Sequence, residues 1–154
     1  MVELGDMDSG EKGGYILLLK LIERSEIRIG RLGIIQFNSG HYAYIGSAMG
    51  GLKQRVSRHL RKEKKLHWHI DYLLEKALVE NIIVCQSMER NECDIAGEIA
   101  KTCRVINGFG SSDCKCHGHL FYSPVTFGDR ITRMLESVGM KPYLVPVNKD
   151  NSTI

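Results

Sequence analysis

A chain of 154 residues with a net charge of +3, 43% hydrophobic and 25% charged, has the composition of one folded domain rather than a disordered or fibrous segment. No apolar run is long enough to cross a bilayer, and residues 1–12 are acidic and glycine-bearing rather than basic then apolar. A membrane span and a secretory leader are therefore not read, and the cytoplasm is the expected location. Five cysteines (85, 93, 103, 114 and 116) form an odd set that argues against a disulfide framework.

In chain order, residues 1–12 read as a loose tail. The apolar run Tyr15 to Ile22 predicts a buried strand. A turn at Gly30 to Gly33 leads to a second strand, Ile34–Phe37, and Asn38-Ser39-Gly40 signals another turn. His41 to Ile45 alternates and predicts a third strand hairpinned to the second. After a small-residue loop, Leu52, Val56 and Leu60 form a helical row with Arg55 and His59 on the neighbouring one. A second helix is expected over 69–78 and a strand over 81–85. Asn91 is a candidate N-cap for a third helix reaching Cys103. In this reading Cys85, Cys93 and Cys103 are small core residues. Residues 108–113 read as a loop, 119–122 as an edge strand and 129–138 as an amphipathic helix, with a frayed tail after Lys141. The expected fold is α/β, a small mixed and mainly antiparallel sheet flanked by helices. A domain over 13–124 would carry a C-terminal helix and tail over 125–154.

Between Leu52 and Lys65 stand seven Lys or Arg against one acid, Glu63. Such a block attracts a phosphate backbone; the alternative is a solvated helix face. Lys53, Arg58, Arg61 and Lys62 are the candidate nucleic-acid contacts, DNA being the expected partner, although Arg58 and Arg61 also suit plain solvated positions.

Three pieces recur in order: Gly13-Gly14-Tyr15 opening the first strand, Tyr44-Ile45-Gly46 ending a later one, and the helix carrying Leu52, Arg55 and His59. This order resembles the GIY-YIG nucleases, with Gly14 standing where that superfamily has an apolar residue. His67-Trp68-His69-Ile70-Asp71-Tyr72-Leu73-Leu74 and Gly108-Phe109-Gly110-Ser111-Ser112-Asp113-Cys114 look like the signatures of a largely archaeal branch, a domain-of-unknown-function family. The resemblance covers residues 13 to 123. It implies a metal-dependent endonuclease in which Tyr15 orients or deprotonates the attacking water and Tyr44 is its hydrogen-bonding partner. Arg55 would clamp the phosphate and His59 would assist proton transfer. An acid on the third helix, Glu92 or alternatively Glu98, would hold Mg²⁺ or Mn²⁺. The superfamily's asparagine after that helix has only a displaced counterpart, Asn107. A partner protein or self-association would supply targeting. The other reading of Tyr15 and Tyr44 is two core tyrosines with satisfied hydroxyls.

A second constellation, His67, His69, Cys114 and Cys116 with His117 and His119 nearby, offers the nitrogen and sulfur donors that Zn²⁺ prefers. Asp71 and Asp113 could orient those histidines. Trp68 reads as a core anchor or a base-stacking platform, and Phe109 as a core plug or a surface wedge. Two rivals to the nuclease remain: a nucleic-acid-binding module without catalysis, and a zinc-stabilised interaction domain.

Overall fold

The computed structural model describes residues 3–112 and 114–147. After a short 3-10 turn at Leu4–Asp6 come β1 (Gly13–Leu21), β2 (Ser25–Arg28), β3 (Ile34–Phe37) and β4 (Gly40–Ala48). Then follow α1 (Leu52–Leu60), α2 (His69–Leu73), β5 (Leu78–Gln86), α3 (Glu92–Ala100), β6 (Arg104–Val105), β7 (Leu120–Ser123), α4 (Arg130–Ser137) and β8 (Tyr143–Pro146). The described residues form a six-stranded sheet in the order β6-β7-β4-β1-β5-β8 and a two-stranded sheet of β2 and β3. Every pairing is antiparallel. The α/β class with helices flanking an antiparallel sheet is as the sequence indicates.

β1 is buried along its length except at Lys20, because both faces of the sheet are covered. Its odd positions, Tyr15, Leu17, Leu19 and Leu21, enter one core with Leu52, Val56 and Leu60 of α1, Ile70 and Leu73 of α2, and Ile27 and Phe37 of the small sheet. Its even positions, Ile16 and Leu18, enter a second core with Ile95, Ala96 and Ile99 of α3 and Ile131 and Leu135 of α4. Side chains alternate across a strand, so this division follows directly from the parity of the sequence.

Several elements differ from expectation. β4 pairs with β1 and β7, not with β3. Tyr42, Ala43, Tyr44 and Ile45 are all buried and need cover on both faces, whereas Ile34 and Gln36 are exposed and suit a small outer ribbon. The partner of β3 is β2, whose sequence Ser-Glu-Ile-Arg carries too little apolar content to stand out. β7 is interior, since the two-residue β6 covers its edge. Of the segment after Lys141, expected to fray, Tyr143–Pro146 pairs as β8 with β5, placing Val145 in the core, and residues 148–154 lie outside the described residues. Residues 3–12 are not wholly loose: Met7 is buried in the α1-side core. Helix α2 stops at Leu73 and α3 at Ala100, both short of the expected ends. Asn91 occupies the N-cap position of α3 without a side-chain capping bond. No helix among the described residues is long and apolar enough to cross a membrane.

Candidate functional site

The β1–β4 register sets Tyr15 opposite Gly46 and Leu17 opposite Tyr44, so both phenols point to the α1 side of the sheet. Gly46 is required there, since a Cβ would overlap the Tyr15 ring. Gly14, the departure from the resembled tripeptide, has its own steric reason. It points to the other face, where a Cβ would lie 2.8 Å from Ile95 Cδ1 and strike Asn91. The missing side chain lets the first turn of α3 press against the start of β1.

Helix α1 leaves β4 through Gly51, at φ 138°, and places Arg55 and His59 one turn apart on one side. Arg55 Nη1 donates to the Ser47 carbonyl at 3.1 Å, and the guanidinium lies 4.4 Å from the Trp68 ring centroid. His59 is 2% exposed, and its Nε2 is 2.5 Å from the Tyr15 hydroxyl. Glu92 opens α3. Its Oε1 lies 3.5 Å from Arg90 Nη1, while Oε2 is buried without a hydrogen-bond partner.

These groups meet at one end of the sheet, around a cleft of about 330 Å³. Tyr15, Tyr44, Ser47, Arg55, Trp68 and Glu92 line it, with Cys114 and His119 on its border. The phenols form its floor and are scarcely wetted: Tyr15 is 1% exposed and Tyr44 8%. Burial pushes the Tyr15 phenol well above its ordinary range; Tyr44 adds to the rise and Arg55 opposes it. Burial raises the Tyr44 phenol too, again against Arg55. His59 is pushed down to about 3 by burial, so it is a neutral imidazole at neutral pH, able to accept a hydrogen bond from the Tyr15 hydroxyl but a weak base toward its proton.

The remaining candidates divide. Arg58 grips Asp71 with both ends of its fork, Nη1 to Oδ1 at 2.8 Å and Nη2 to Oδ2 at 3.0 Å. Asp71 also accepts the backbone N–H of His67 and Trp68. Burial works to raise Asp71, yet these donors hold it down to about 2. The Arg58 charge, expected to face solvent or phosphate, is thus spent on joining α1 to the start of α2. Asp71 orients that arginine rather than a histidine, and Asp113 lies outside the described residues. Lys53 is partly exposed; Arg61 and Lys62 are exposed and border a separate cavity of about 480 Å³ at the C-terminal end of α1. Glu98, the alternative acid, pairs with Lys101 at 2.8 Å and does not line the cleft. Asn107 is exposed and is not a cleft residue either. Phe109 is fully buried and plugs the α1-side core. Trp68 packs on that core and carries two guanidinium groups, those of Arg55 and Arg58.

The expected sulfur–nitrogen constellation takes a different membership. Cys93, Cys114, Cys116 and His119 hold their ligand atoms within 4.8 Å of one another, a set able to bind a metal ion. His67 and His69 are not in it. His67 is exposed, and His69 Nδ1 accepts the Gly110 N–H at 2.8 Å, bracing the loop that starts there. Cys93, read as a core residue from its apolar neighbours, is exposed. Helical geometry contained that signal: Cys93 precedes Ile95 by two positions, roughly 200° around the helix, and so faces away from the side Ile95 buries. Desolvation and the neighbouring Cys116 and Cys114 push its thiol up to about 12.

Fold and site together define an antiparallel α/β domain with a tyrosine–arginine–glutamate cleft beside a sulfur-rich cluster. The chain belongs to the family described as Domain of unknown function DUF123, which it matches over residues 14–140. No curated protein and no solved structure matches it.

Proposed function

We propose that the protein is a metal-dependent phosphodiester hydrolase acting on nucleic acid, with DNA as the substrate class, of the GIY-YIG kind that its two tripeptides resemble. The observation that supports this reading is the meeting of Tyr15, Tyr44, Arg55 and Glu92, distant in sequence, around one cleft. Glu92 suits a hard divalent cation, Mg²⁺ or Mn²⁺, because its Oε2 is buried without a partner. Bound there, such a cation would offset negative charge on the phosphate and the leaving oxygen.

The chain's own groups do the rest. Arg55, held by the Ser47 carbonyl and the Trp68 face, presents donors to a phosphate oxygen. Tyr15 faces the attacking water, with Tyr44 beside it. As the water oxygen bonds to phosphorus, its proton leaves to solvent, Tyr15 serving to orient the water. The bond from phosphorus to the leaving oxygen breaks, and that oxygen takes a proton from solvent. A phenol raised by burial is a poor acid, and a histidine lowered by burial is a poor base, so the hydrogen bond between them fixes the Tyr15 hydroxyl in place rather than taking its proton. Exposed Arg61 and Lys62 and the partly exposed Lys53 would hold flanking phosphates.

Glu92→Gln keeps the shape of the acid and removes its charge. Cleavage of plasmid and branched DNA in Mg²⁺ should fall by about 100-fold or more, with the fold intact by circular dichroism. A variant that cuts as fast as wild type rules the residue out of the reaction. The near-complete burial of Tyr15 favours one rival, a nucleic-acid-binding module without catalysis. Salt-steep DNA binding with no cleavage under any divalent cation would select that rival.

A further inference from the structure

We propose that Cys93, Cys114, Cys116 and His119 bind a single zinc ion that pins the loop between β6 and β7 to the first turn of α3. The distances fit one tetrahedral ion. With zinc–sulfur and zinc–nitrogen bonds of ordinary length, sulfur-to-nitrogen edges are about 3.6 Å and sulfur-to-sulfur edges about 3.8 Å. Here Cys114 Sγ lies 3.5 Å and Cys93 Sγ 3.9 Å from His119 Nε2, and all four ligand atoms fall within 4.8 Å.

The ligands come from places the fold fixes independently. Cys93 is the second residue of α3. His119 directly precedes β7; its N–H donates to the Phe109 carbonyl at 2.7 Å and its carbonyl accepts from Ile45 N–H at 2.9 Å. The loop between is drawn in by Gly108 N–H to the His117 carbonyl and by Cys114 N–H to the Ser111 carbonyl. Cys114 and Cys116 alternate on it.

The donor chemistry selects the metal. Three thiols and an imidazole are too soft for magnesium or calcium and match zinc. Iron–sulfur clusters are ordinarily held by four thiolates, one more than this set supplies. Disulfide pairing would strand one of the three thiols, and all five cysteines are free. Binding forms three zinc–sulfur bonds and one zinc–nitrogen bond and releases three thiol protons to solvent. With four protein ligands no position stays open, so the ion is a structural staple. It holds Cys93, and therefore its neighbour Glu92, against the cleft.

The test is metal content, which does not depend on whether the cleft cuts anything. Protein purified without chelators should carry one zinc per chain by elemental analysis. Cys116→Ser and Cys93→Ser should lose it, while Cys103→Ser keeps it. If the first two variants fail to fold, wild-type protein stripped of metal under reducing conditions and reloaded with cobalt provides the second readout. A tetrahedral thiolate–cobalt absorption spectrum, abolished by added zinc, is expected. Native protein that carries no zinc and takes up neither ion overturns the proposal, as does iron in place of zinc or full retention of zinc in Cys93→Ser.

Discussion

His59 shows how one residue's burial shapes both chemistry and stability. Its folded value lies near 3 against about 6.5 for the free side chain, so the unfolded chain binds the extra proton in between. Its contribution to stability is therefore full above about pH 6.5, fades as the pH falls and levels off near 3. Denaturant unfolding of wild type and His59→Gln at neutral pH and at mildly acid pH should give a shallower acid loss in the variant. Equal losses would mean that the histidine is not held neutral. The same residue marks what a sequence conceals: the spacing of Arg55 and His59 is readable, but the contact between His59 and Tyr15 is not. It joins residues 44 positions apart and exists only because β1 lies under α1.

At the scale of elements, legibility followed apolar content. β1 and α1 declare themselves by a continuous apolar run and by a clean row at every fourth residue. β2, β6 and β8 are short, polar or proline-bearing, and are strands only because a neighbour supplies hydrogen bonds. The pairing of β4 could not be read from its length and turn, since burial on both faces is decided by what lies above and below it. Helix α2, five residues long, is too short to stand alone and depends on Asp71. That carboxylate is 0% exposed and accepts from Arg58 and from two backbone N–H groups. Asp71→Ala leaves Arg58 without its counter-charge and both backbone donors unpaired, and should cost about 3 kcal/mol in thermal or chemical unfolding. A cost below about 1 kcal/mol would show that the pair behaves as a surface contact.

On the scale of the whole molecule, the sheet formed by the described residues ends in β6, two residues long, and β8, which carries Pro146, so among those residues neither edge offers a long template for another strand. Charge is better read locally: a net of +3 says little, whereas Arg61, Lys62 and Lys65 stand exposed together just beyond the end of α1. If that end tracks a nucleic-acid backbone, Lys62→Ala should lower the slope of log affinity against log salt by about 1, with little change in sequence preference. An unchanged slope would place the phosphates elsewhere. The two cores also bear on the cleft differently. α1 and α3 rest on opposite faces of β1, and only at the rim where that strand begins can residues from both helices converge. Trimming Ile95 or Ile99 would therefore misplace the carboxylate while sparing Arg55 and His59, and trimming Val56 would do the reverse. Injuries to either hydrophobic layer, remote from the scissile bond, would thus be told apart by which half of the constellation falls out of register.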